Sequence, residues 1–131
     1  MKQINQYITE YIIKKKLDTP IDSEDHYDYY PETKEELIKN IEELLNKGET
    51  DFNCIDTSKI TDMSRLFESY KNINFDISKW NVSNVKYTKY MFFECTKFDC
   101  DLSNWDVSKV ENMSNMFYNC NLKNTPAWYV K

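Results

Sequence analysis

Few side chains in this 131-residue sequence could do chemistry: one His, four Cys and a series of regularly spaced carboxylates. His26 lies in the polar run Ser23-Glu24-Asp25-His26-Tyr27-Asp28, with no Ser or Cys nucleophile motif beside it, and reads as a solvated loop residue. A single His leaves no metal site built on a His pair, and a single Gly leaves no Gly-rich phosphate loop. Asp51, Asp76 and Asp101 recur every 25 residues. A carboxylate pair acting as acid and base needs one member desolvated, and a repeating series is expected to be structural instead. Asp99 and Asp101 lack the Gly-containing loop of alternating oxygen ligands that holds calcium. Cys54, Cys95, Cys100 and Cys120 form no C-x-x-C pair, which argues against a zinc ribbon or a redox motif. No catalytic residue, metal ligand or cofactor is expected.

The positioning elements divide the chain in two. Residues 1–50 hold 12 acids and 7 bases, whereas 51–131 hold 10 of each, so the net charge of −5 sits entirely in the first part. An acidic chain lacks the basic footprint of a general nucleic-acid binder. No apolar run approaches the roughly 20 residues that span a bilayer. Polar residues interrupt the apolar ones near the start (Gln3, Asn5, Gln6, Thr9, Glu10), so no export signal is read and a cytoplasmic location with reduced thiols is expected. Ile4, Tyr7, Ile8, Tyr11 and Ile12 predict an amphipathic helix over 3–17, and the Lys14-Lys15-Lys16 run suits its C-terminal end. An acidic, Tyr-rich connection follows. A second helix is predicted from Lys34 to Lys47, with Thr33 and Glu36 as a capping box and Gly48 as its left-handed stop. Leu37, Ile38, Ile41, Leu44 and Leu45 form its apolar face.

The remainder is a repeat. Ile60, Val85 and Val110 stand 25 residues apart, as do Phe67, Phe92 and Phe117, and Ser58, Ser83 and Ser108. Three copies follow without insertion, at 51–75, 76–100 and 101–125. One copy cannot bury its apolar face alone, so neighbours must stack and equivalent positions must meet. Ile55, Trp80 and Trp105 then form one buried column, and the three Phe another. Met113, Met116 and Phe117 have helical spacing, which predicts a brief helix over 111–118. Alternation over 101–107 predicts a short strand. The Ser, Asp and Asn positions can bond local backbone at turns in place of glycines. Cys95 and Cys120, as equivalents, are expected about one strand spacing apart, roughly 5 Å, which permits a disulfide, though packed thiols fit a reduced setting. The fold class is therefore an α+β repeat solenoid with a two-helix N-terminal cap (1–50) and a C-terminal cap (126–131), all in one domain.

The strings DISKWNVSNV (76–85), MFFECTKFDCDLSNWDVSKV (91–110) and NMSNMFYNC (112–120) resemble the BspA-like, mycoplasma-lipoprotein-type 25-residue repeat over roughly 51–125. The combined W-[ND]-V-S-x-V and M-F-x-x-C spacing carries the resemblance. It implies a leucine-rich-repeat-like architecture and a protein that acts by binding partners, with no catalytic residues in the repeat. A short helical N-terminal region without an export signal is similar to small intracellular or phage-encoded members. The expected function is a non-catalytic protein–protein interaction module, in its specific form a phage or mobile-element protein that inhibits a host or defence protein. The alternative is a structural or surface-associated protein, adhesin-like or part of a virion.

In a repeat protein the recurring residues make the core, so binding residues lie where outward positions break the pattern. The second copy breaks it most, with Tyr87-Thr88-Lys89-Tyr90-Met91-Phe92-Phe93. Tyr87, Tyr90 and Phe93, with Tyr118 from the third copy, are the first candidate partner surface, because large rigid rings make interface hot spots. The acidic connection is the second: Asp25, Tyr27, Asp28, Tyr29 and Tyr30 would engage a basic partner. Another protein is the expected partner, with no direct nucleic-acid or membrane binding.

Overall fold

The computed structural model describes residues 26–130. The helix expected over 3–17, the Lys14-Lys15-Lys16 run and Asp25 lie outside the described residues. Among the described residues there is one helix, α1, at Lys34–Asn46. Thr33 caps its start by accepting from the Glu36 N–H at 3.1 Å. The Glu36 carboxylate reaches back one residue further than in a capping box, accepting from the Glu32 N–H at 2.7 Å. Gly48, at φ 81°, ends the helix in the left-handed region, where a residue without Cβ carries no strain. Leu37, Ile41 and Leu44 are buried on one face, and Ile38 and Leu45 pack at its margin.

Past α1 the chain is built from a five-residue unit used three times in each repeat. An Asp or Asn opens the unit and its side chain accepts the N–H two residues on, as in Asp56 to Ser58, Asp76 to Ser78, Asn81 to Ser83 and Asp106 to Ser108 (2.9–3.0 Å). The apolar residue after it accepts an N–H three residues further, as in Ile77 O from Trp80, Val82 O from Val85 and Leu102 O from Trp105. Each unit thus nests an Asx turn in a β-turn and throws two side chains inward three positions apart. The chain bends too often for strands or helices to form. The brief helix expected over 111–118 is a set of overlapping turns, and the strand expected over 101–107 is likewise turns. Pairing survives only as isolated parallel bridges: Tyr29 with Ile55, Asp51 with Asp76, Asp62 with Tyr87 and Tyr87 with Asn112.

The overlapping turns divide their amides between two destinations. Leu66, Glu68 and Tyr70 donate back three residues, to Met63, Arg65 and Phe67. The amides between them go to the next repeat: Met63 to Tyr87 O, Arg65 to Lys89 O and Phe67 to Met91 O, at 2.8–2.9 Å. The turns hold positive φ at Arg65 (58°) in the first repeat, Tyr90 (56°) and Glu94 (56°) in the second, and Asn115 (53°) and Asn119 (58°) in the third. Each is the third residue of its turn, where a type II turn demands it. A helix cannot pass through such a residue.

Equivalent side chains meet across the repeats. Phe67, Phe92 and Phe117 stack with centroids 5.6 and 5.3 Å apart. Phe75 and Phe98 wedge against this column at 4.4 and 4.5 Å. Ile55, Trp80 and Trp105 are buried, and each indole also donates to backbone of the preceding repeat: Trp80 to Phe52 O (2.9 Å) and Trp105 to Ile77 O (3.1 Å). Trp128 continues the series by stacking on Trp105 and donating to Leu102 O at 2.8 Å. The two buried threonines are satisfied by the next repeat, Thr57 by Asn81 O and Thr88 by Asn112 O.

Candidate functional site

Nine positions can open a turn unit, and eight of them carry an Asp or Asn whose side chain makes the turn: Asp51, Asp56, Asp62, Asp76, Asn81, Asp101, Asp106 and Asn112. Tyr87 holds the ninth. Its backbone keeps the ladder, bridging to Asp62 on one side and Asn112 on the other, but its side chain cannot make the turn and is 43% exposed. A stabilising hydrogen bond is missing and an apolar ring faces solvent in its place. No packing requirement explains that choice, since the neighbouring repeats use Asp and Asn on the same backbone.

The other aromatic departures gather beside it. Phe93 and Tyr118 are equivalents in consecutive repeats and stack at 5.4 Å with 9° between planes. Tyr90 meets the Phe93 ring edge-on at 5.5 Å. Arg65 of the first repeat lies over the Tyr90 ring at 4.5 Å and pairs with Glu68 at 2.9 Å, and the Lys89 ammonium is 5.5 Å from the same ring. Lys71 pairs with Glu94 at 3.0 Å. Three rings therefore form one continuous row with a fringe of paired charges, and Tyr118, at 49% exposed, is its open end. Tyr90 and Glu94 both hold φ 56°. That conformation costs a non-Gly residue about 1–2 kcal/mol, and the inter-repeat amide bonds hold it in place. The structure thus brings Tyr90, Phe93 and Tyr118 together, with Tyr87 on the same repeat. Arg65 and Lys89 also stand against the Tyr90 ring and were not among the expected residues; the 25-residue phase, which aligns Arg65 with Tyr90, was the signal for the first of them.

The acidic connection is split. Tyr29 is anchored: its backbone bridges Ile55 and its ring packs on the core, and its phenol, with Glu43, raises the pKa of the neighbouring Lys47. It attaches the segment to the first repeat, with its ring half-buried. Asp28 is tied to the same place through its N–H to Cys54 O at 2.8 Å. Tyr30 is 58% exposed, and its hydroxyl accepts from the Tyr27 N–H while the two rings meet edge-on at 6.2 Å. His26 lies 3.7 Å from Asp28, with both side chains mostly exposed. This segment pairs with residues 54–56 and stands on a different repeat from the ring row.

The carboxylate series opens turns. Hydrogen bonds from Ser78 and Ser103 hold Asp76 and Asp101 below the ordinary carboxylate range. Beside them is a groove of about 370 Å³ whose lining includes Asp76, Asp99, Cys100 and Asp101. Burial, with Asp76 nearby, pushes the Cys100 thiol up to about 11, so it is protonated at neutral pH. Cys95 and Cys120 each donate to the preceding repeat, to Phe67 O (2.9 Å) and Phe92 O (2.7 Å), and all four cysteines are free thiols. The neighbouring Cys120 sulfur, together with burial, raises the Cys95 pKa, so Cys95 stays a protonated thiol. Among the described residues no group of three or more His, Cys, Asp or Glu is placed to hold a metal ion, and no helix is long and apolar enough to cross a membrane.

A family model described as a Mycoplasma protein of unknown function, DUF285, matches residues 35–130, which takes in all of α1 but its first residue, and all three repeats. No curated protein and no solved structure matches the chain.

Proposed function

We propose, from the premise that the chain belongs to the DUF285 family of Mycoplasma proteins of unknown function, that it is a short solenoid acting as a non-catalytic protein-binding module through its second repeat. Tyr87 carries the proposal: it is the one position among nine where the turn-forming side chain is replaced by an exposed ring. The adjoining row of Tyr90, Phe93 and Tyr118 adds rigid apolar area, with Arg65 and Lys89 at its margin, in the combination that interface hot spots use. In its finer form the reading is an inhibitor from a phage or mobile element that covers a surface of a host or defence protein. The acidic N-terminal part and the repeat resemblance support that form.

Affinity capture from a bacterial lysate with mass spectrometry tests it, comparing wild type with Tyr87→Ala/Tyr90→Ala/Phe93→Ala after both are shown to fold. The expected result is a stoichiometric protein lost from the variant, whose binding is then reproduced with purified components. Equal capture by both proteins, or none by either, overturns the proposal.

A further inference from the structure

Seven backbone bonds of one register join the repeats along the overlapping turns. Amides 63, 65 and 67 donate to carbonyls 87, 89 and 91, and amides 88, 90, 92 and 94 donate to carbonyls 112, 114, 116 and 118. The donor is always in the earlier repeat. In the third repeat the same positions are Met113, Asn115, Phe117 and Asn119, and no described residue accepts from their amides. The amides between them are already used: Ser114 binds the Asn112 side chain, and Met116, Tyr118 and Cys120 close turns. Asn115 and Asn119 are exposed. Trp128 and Tyr129 place their rings on Phe117 but supply no acceptor to this row. The opposite end differs, because α1 lies along the first repeat there and the Lys34 ammonium binds Ser64 O at 3.1 Å and faces Asp62 at 3.6 Å.

We infer that the edge of the third repeat receives the backbone of another repeat-bearing polypeptide, whose overlapping turns supply carbonyls where a fourth repeat would. The polarity of the edge selects this occupant. A second copy meeting it edge to edge would set donors against donors, and that copy's own carbonyl edge lies under α1. In all seven internal cases the acceptor is a carbonyl of the same turn register. Tyr118 stands beside the row, stacked on one face by Phe93 and open on the other, so an apolar residue of the partner would extend that column.

The test uses the isotope-labelled full chain and a synthetic peptide with the sequence of residues 76–100, whose carbonyls already accept in this register. Alone, the four amides are expected to exchange with solvent much faster than those of Met63, Arg65 and Phe67. With the peptide, saturable shifts should centre on 113–119, and the four amides should exchange roughly tenfold more slowly. A scrambled peptide should do neither. Protection of the four amides in the dilute free chain, shifts elsewhere, or no shift at millimolar peptide overturns the inference. Protection that rises with protein concentration alone also overturns it, by making a second copy the occupant.

Discussion

Phe92 and Phe93 are neighbours in sequence and live in two different columns. Phe67, Phe92 and Phe117 form an inner column of one residue type, whereas Glu68, Phe93 and Tyr118 form an outer column of three types on the same backbone register. The inner column must fill fixed space between repeats, and a single shape does so in each. The outer column faces solvent, and nothing in the stacking dictates its composition. Aromatic rings there represent surface chemistry, and those same rings in the inner column represent packing.

Mutation of the two neighbours should separate these roles most sharply. Phe92→Ala is expected to destabilise by about 3–5 kcal/mol, whereas Phe93→Ala should stay within roughly 1.5 kcal/mol yet lose partner capture; urea midpoints and pull-downs on both variants check this. Trp105→Ala belongs with Phe92, also at about 3–5 kcal/mol, because it removes a buried indole together with its bond to Ile77 O. A near-neutral result would take the indole series out of the core.

Acid should weaken the turns next. In Asp62 burial opposes the shift, but bonds from Ser64 and the Lys34 charge prevail, so its folded pKa is lowered; serine bonds lower those of Asp76, Asp101 and Asp106. A lowered folded pKa means stability that is fully present above the unfolded value of about 3.9 and lost as pH falls through the folded values. Urea midpoints should therefore hold from neutral pH to about 5 and drop below about 3.9. Asn81→Ala, which removes an uncharged turn acceptor, should cost about 0.5–1.5 kcal/mol, independent of pH over that range. The smallest effect on stability is the most informative for function. Tyr87→Asp should restore the missing turn, change stability by no more than about 0.5 kcal/mol in the favourable direction, and abolish capture. Capture retained by that variant would break the contrast between the columns.

The repeat, its phase and its buried columns were legible because identical residues return at fixed intervals, and stacking is the one arrangement that buries them. The helix at 34–46 was legible from Thr33, its apolar stripe and Gly48. The local structure inside each repeat was not. Met113 and Met116 are three residues apart in a β-turn as they would be in a helix, so spacing alone could not separate the two. The deciding signal was the Asp/Asn-x-Ser series, whose acceptors compete with helix and strand for the backbone. For the site, exposed rings could be seen as departures from the repeat. Tyr29 could not be told from Tyr30, because its inward turn depends on pairing with Ile55 far along the chain.

Trp128 accepts its role two residues ahead of phase: Trp80 and Trp105 each reach backbone 28 residues earlier, and Trp128 reaches back 26. What it grips is the repeat before it, through Leu102, Trp105 and Phe117, and α1 grips the repeat after it through Lys34 on Asp62 and Ser64. The length of the stack is therefore a countable quantity, indifferent to both closures. Joining residue 75 to residue 101 would leave the amides of Met63, Arg65 and Phe67 facing carbonyls 112, 114 and 116 in the same register and shorten the protein by one step, while deleting Tyr87, Tyr90 and Phe93 in a single cut. Exposed surface is thus gained or lost by whole repeats without redesign of either end.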